Sequence, residues 1–105
     1  MSVVKINAIT VPKERADELV ARFAARAGEV SGMPGFEMFE LLRPTDDKDT
    51  FLVYTRWRSE EDFQNWMNSA AFQHGHQAHN SQGPVSNQSA LWQFDVVQHE
   101  DAPAS

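Results

Sequence analysis

The apolar residues of this chain repeat with two different periods, and the order in which the periods alternate limits the fold more than any single residue does. Val3 to Val11, Phe36 to Arg43, Thr50 to Trp57 and Ser89 to Val97 are rich in β-branched and aromatic residues, the composition of strands. Between them, Lys13 to Val30 carries Ala16, Leu19, Val20, Phe23, Ala27 and Val30 at the spacing of a buried helical stripe. A second such stripe, Phe63, Trp66, Met67 and Ala70, follows Ser59. Strand–helix–strand–strand–helix–strand is the order of a ferredoxin-like α+β domain, βαββαβ, with four antiparallel strands and both helices on one sheet face. The strands are apolar on their second face too, and a second copy of the chain is the simplest cover for it, giving a dimeric α+β barrel. One domain over residues 3–97 is expected, with 98–105 as a flexible tail.

Local signals fix the element ends. Pro12 stops the first strand and suits a first helical turn. Gly32-Met33-Pro34-Gly35 and Pro44 to Asp49 read as turns. Ser59 is placed to cap a helix whose first turn, Glu60-Glu61-Asp62, suits the positive end of the helix dipole. Ser69 is placed to cap a second short helix bearing Phe72, His76 and His79 on one face. Asn80 to Asn87 is a polar loop suited to the mouth of a pocket.

Three residue groups stand out chemically. Asn7 interrupts an apolar strand, and an amide there must be hydrogen-bonded if it is buried. Arg22 and Arg26 lie one turn apart around Phe23. They suit either an exposed face, paired with Glu18 and Glu29, or the rim of a pocket for a carboxylate ligand. His74, His76 and His79 fall within six residues, and His76 shares a face with Phe72. An imidazole in that setting serves as a satisfied core side chain, a base or a metal ligand.

Composition removes several classes. The chain has 105 residues and no cysteine, which excludes disulfides and thiolate ligation. A net charge of −6 argues against nucleic acid or an anionic membrane surface as partner. No apolar run approaches a bilayer span, and Lys5 breaks the only N-terminal run that resembles a leader, so a cytoplasmic, soluble protein is expected.

Val3-Val-Lys-Ile-Asn7-Ala-Ile, Pro34-Gly35-Phe36, Leu41-Leu-Arg-Pro44, Trp57 and Phe63-Gln-x-Trp66 together carry a resemblance at unshifted spacing. Over about residues 3 to 97 the chain resembles the IsdG/MhuD family of haem-degrading monooxygenases, within the antibiotic biosynthesis monooxygenase superfamily, and is especially similar to its MhuD-like members. The family uses an Asn on the first strand, a Trp in the second helical region and a His about ten residues further on. Here these are Asn7, Trp66 and His76. Measured from Trp66, the ligand His of MhuD-like members falls one residue earlier than in IsdG-like members, at a position occupied here by Gly75. Phe72-x-x-x-His76 follows the IsdG-like pattern instead, so His76 is the expected ligand, ahead of His74 and His79.

The resemblance implies a chemistry in which haem is both cofactor and substrate. His76 would ligate the iron. Asn7 would donate a hydrogen bond to oxygen on the opposite side. Trp66 would press on the porphyrin and ruffle it. Arg22 and Arg26 would meet the propionates, and Phe23, Phe39, Phe63 and Phe72 would line the walls. Oxidation by O2 at a meso carbon would open the ring to a mycobilin- or staphylobilin-type bilin and release iron. A separate reductase would supply the electrons as external donor. Two rival classes use the same fold: a cofactor-independent monooxygenase acting on a polyketide-like aromatic, and a non-enzymatic haem-binding protein.

Overall fold

A computed structural model describes residues 2–25, 28, 30–69 and 88–103. Its elements are β1 (Val3–Thr10), a 3-10 turn (Lys13–Arg15), α1 (Ala16–Ala25), β2 (Phe36–Leu42), β3 (Thr50–Trp57), α2 (Glu60–Met67) and β4 (Gln88–Asp95). The strands form one antiparallel sheet in the order β2-β3-β1-β4. This is the ferredoxin-like arrangement that the order of periods predicts. Among the described residues, no helix is long and apolar enough to cross a membrane.

Both helices lie on one face of the sheet. Leu19 of α1 packs with Ile9, Val11 and Phe51 in one core cluster. Phe63 of α2 packs with Val3 and Trp57 in a second, against which Phe36, Trp66 and Met67 rest. Trp57 is fully buried, with Phe36 and Phe63 edge-on at 5.6 and 6.0 Å between ring centroids and Trp66 stacked at 6.4 Å. Edge-to-face and offset arrangements suit the ring quadrupoles. Truncation of such a side chain to alanine typically costs ~3–5 kcal/mol.

Two expectations need correction. The first helix does not run from Lys13 to Val30. It begins with a 3-10 turn, and Gly28 sits at φ +93°, a conformation no α-helix contains. Val30 nevertheless reaches the second core cluster, from a turn rather than from a helix. The period of two expected of a strand, which sets Phe36, Met38, Glu40 and Leu42 on one face, also fails along β2. Phe36 pairs with Trp57 and Met38 with Arg56, so the register shifts between them. This β-bulge moves Phe36 from the face of Met38 to that of Phe39 and Leu41, where it meets Trp57.

The remaining boundaries move by one or two residues. The strand predicted over Thr50 to Trp57 and the Ser59 cap stand as predicted: the Ser59 hydroxyl accepts the Asp62 N–H at 3.2 Å. The sheet face away from the helices carries Val4, Ile6 and Ala8 of β1 together with Leu42, Leu52, Trp92 and Phe94. Trp92 and Phe94 are 46% and 50% exposed there.

Candidate functional site

The register divides the helix-bearing face into four rows. At one end, Trp57, Val3 and Asp95 lie side by side, with Trp57 and Val3 packed under α2. At the other end, Phe51, Ile9 and Ser89 do the same, with Phe51 and Ile9 packed under α1. Two rows cross the sheet between the helices. One is Phe39–Thr55–Lys5–Gln93 and the next is Leu41–Val53–Asn7–Leu91. These two rows are the floor of the candidate site.

Asn7 lies in mid-strand at the centre of its row, half-buried. Its side-chain amide makes no hydrogen bond among the described residues, and no buried side-chain nitrogen or oxygen there lacks a partner. The amide therefore remains open to solvent and to a ligand, whereas a structural core amide would be saturated by backbone. Leu91 beside it is 47% exposed, a large apolar side chain on the site face. Phe23 of α1 and Phe39 of β2 meet at 6.1 Å, and Phe39 is 39% exposed.

The other predicted site residues are distributed as follows. Trp66 is half-buried on α2 and stacks on Trp57 at an interplanar angle of 26°. Phe63 is in the core, 7% exposed. Arg22 pairs with Glu18 at 3.0 Å with only 15% of its side chain exposed. Glu18 also accepts from Arg15, and that bond, with the two guanidinium charges, holds its carboxyl below the usual range. Arg26, Phe72, His74, His76 and His79 lie outside the described residues, as do the predicted second short helix and the Asn80 to Asn87 loop. Among the described residues, no group of three His, Asp or Glu side chains is placed to hold a metal. A concavity of about 680 Å³ opens on the opposite sheet face around Ala8, Leu52, Ala90 and Trp92 and does not include Asn7.

One residue of the floor had no assigned role in the sequence. Lys5 is 3% exposed, and its ammonium donates to Glu60 at 2.5 Å and to Gln93 at 2.6 Å above the Phe63 ring. Lys5 and Gln64 together hold the Glu60 carboxyl below its usual range, Lys5 contributing most. The only available signal was a lysine inside an apolar strand at the same parity as Asn7.

The turn before β2 supports the site from the side. Gly35 adopts φ +79° and its backbone lies directly against the Asp62 side chain. Asp62 in turn accepts from the Ser59 hydroxyl at 2.8 Å and from Arg58 at 3.0 and 3.1 Å. Those bonds, Ser59's first, depress the Asp62 carboxyl. The Pro34-Gly35-Phe36 motif thus fixes the first turn of the helix that carries Trp66.

A four-stranded antiparallel sheet with two helices on one face defines an α+β domain of the ferredoxin-like class. The profile of the family described as "Antibiotic biosynthesis monooxygenase" matches residues 2–78. A "Heme oxygenase (mycobilin-producing)" of Mycobacterium tuberculosis is 45% identical over 97 residues, 92% of this chain and 90% of that protein. A "Heme-degrading monooxygenase" of Bacillus cereus is 35% identical over 106 residues, covering 97% and 98% of the two chains. The crystal structure of the heme-degrader MhuD from M. tuberculosis with two hemes bound in its active site superposes with a TM-score of 0.80 at 42% identity, covering 94% of this chain and 99% of that one. The chain belongs to the antibiotic biosynthesis monooxygenase family and, within it, to the haem-degrading monooxygenases.

Proposed function

We propose that this protein is a haem-degrading monooxygenase that holds haem between α1 and α2 and opens the porphyrin oxidatively. The observation that carries the proposal is the Asn7 amide, without a partner among the described residues, in a row with Leu41, Val53 and Leu91 on the sheet face that bears both helices, in a chain of this family. The fit to a porphyrin is chemical. Phe23, Phe39 and Leu91 offer apolar surface to a flat macrocycle, and a neutral amide offers a donor without adding charge. Haem supplies the iron at which oxygen is reduced.

The chain's own residues bind and orient. Asn7 presents its N–H to the oxygen side of the ring. Trp66, backed by the rigid Trp57 stack, presses on the macrocycle. Arg22, already held by Glu18, steers a propionate. The family resemblance would give Arg26 a place at the rim, Phe72 a place in the wall and His76 the iron. Phe63 acts from the core by fixing Trp57. A separate reductase would supply the electrons, and opening of the ring would release iron and a bilin-type product. A homodimer through the Trp92–Phe94 face and a cytoplasmic location complete the proposal.

Titration with haemin followed by anaerobic reduction and oxygen tests it. The expected result is a shifted Soret band, then its loss under catalase with appearance of a bilin. Absence of a Soret shift would point to a cofactor-independent monooxygenase, and bound haem that survives oxygen would point to a haem carrier. His76→Ala should remove the ligand signature, while His74→Ala and His79→Ala should retain it.

A further inference from the structure

Lys5 connects three elements that each carry a residue of the site. On β1 it lies two positions from Asn7 on the same face, a rise of about 7 Å. Its ammonium reaches Glu60 in the first turn of α2, six residues before Trp66. It also reaches Gln93 on β4, two residues from Leu91. The backbone of Lys5 makes a second link. Its carbonyl accepts from the Thr55 hydroxyl at 3.1 Å, Thr55 accepts from the Trp57 indole at 3.0 Å, and Trp57 stacks on Trp66.

Stability alone is a weak reason for a charge at this position. A buried ammonium paired with a half-exposed carboxylate repays little of its desolvation, and an apolar residue of the same length would fill the space above Phe63. What an apolar residue lacks is direction. An ammonium with acceptors on α2 and β4 ties the first turn of α2 to β1 and β4 through directional bonds, which the non-directional packing of the aromatic cluster does not supply. The lever is long: Trp66 lies about 9 Å along the helix from Glu60, so a tilt of ~10° about that first turn moves the indole by ~1.6 Å. Misplacement of about 1 Å costs reacting groups up to ~10²-fold in rate.

We infer that Lys5 is a positioning residue of the haem site, its ammonium setting the separation of Trp66 from Asn7 through Glu60 and Gln93. The inference rests on the haem-degrading reading above, and its first readout needs no haem. Lys5→Met keeps the apolar stem and removes the ammonium. In the ligand-free protein, the Trp66 indole N–H resonance, assigned with Trp66→Phe, should move in Lys5→Met while that of Trp92 stays. In the haem complex, the markers of out-of-plane distortion should weaken, the ratio of ring-opened isomers should change, and turnover should fall about tenfold. Glu60→Ala, a substitution on the exposed first turn, should move the same signals in the same direction, and it carries the test if Lys5→Met does not fold. An unmoved Trp66 resonance overturns the inference. So does a moved resonance with unchanged haem distortion and isomer ratio, which would leave Lys5 a purely structural residue. Failure of the wild-type protein to shift the Soret band is a separate outcome: it removes the haem reading and this inference with it.

Discussion

Gly35→Ala should be among the most damaging single-methyl additions in this protein. The residue sits at φ +79°, where an L side chain costs ~1–2 kcal/mol. A Cβ there would also lie 2.5 Å from the Asp62 Cβ and closer still to its carboxyl. The Asp62 Cβ is fixed to the α2 backbone, so rotation of the side chain does not relieve the overlap. The first turn of α2 must move, at an overpacking cost of ~1–3 kcal/mol. Together these give a loss of about 3 kcal/mol, which for a domain near 100 residues lowers Tm by roughly 12–20 °C. Gly28→Ala is the control. Gly28 also has positive φ, at +93°, but a Cβ there meets nothing within 4 Å among the described residues. It should show the backbone cost alone, about 1–2 kcal/mol. Thermal and urea unfolding of the ligand-free variants would measure both. Equal losses at the two glycines would refute the close approach to Asp62 as the reason for Gly35.

Other outcomes follow from the same geometry. Asn7→Ala removes an amide with no partner among the described residues, so stability should change by no more than about 0.5 kcal/mol while haem binds and is degraded slowly, and a large fall in Tm would mark Asn7 as structural instead. Trp66→Phe should fold and bind haem with less out-of-plane distortion and slower turnover, measured by paramagnetic NMR beside product formation; an unchanged spectrum and rate would return Trp66 to a packing role beside Trp57. The Glu60 and Asp62 carboxyls are both lowered from ordinary values of 4.5 and 3.8, so their contribution is complete above those values and is lost as pH falls through the lower folded ones. Acid titration of stability should show that loss, with a shallower slope in Glu60→Gln. Light scattering should give about twice 11.9 kDa for the native chain, and Trp92→Lys with Phe94→Lys should reduce it to the monomer.

Those predictions draw unequally on sequence and on structure. The sequence by itself determined whatever is encoded by near neighbours. The β-branched run from Thr50 to Trp57, the Ser59 cap with its acidic first turn, and the order of periods were all legible because strand and helix periodicity are properties of ten consecutive residues. Asn7 was legible as a candidate for the same reason, since a polar residue breaks an apolar pattern in place, whereas Trp66 reads locally as core filling and became a candidate only through the family resemblance. The end of α1 was not. The apolar stripe continues through Val30, and only the left-handed Gly28 shows that Val30 enters the core from a turn.

The face of Phe36 was decided by pairing, because a bulge exists only relative to the partner strand. Lys5 shows the limit most plainly. Its acceptors lie 55 and 88 residues away, so nothing in its neighbourhood distinguishes a buried, double-anchored ammonium from a surface lysine on a strand. Gly35 is similar: a turn glycine is evident from Met33-Pro34-Gly35, but its intolerance of a methyl group comes from Asp62, brought there by the docking of α2. Local patterns choose the elements, and only their packing creates the close approaches and buried charges that shape the floor between α1 and α2.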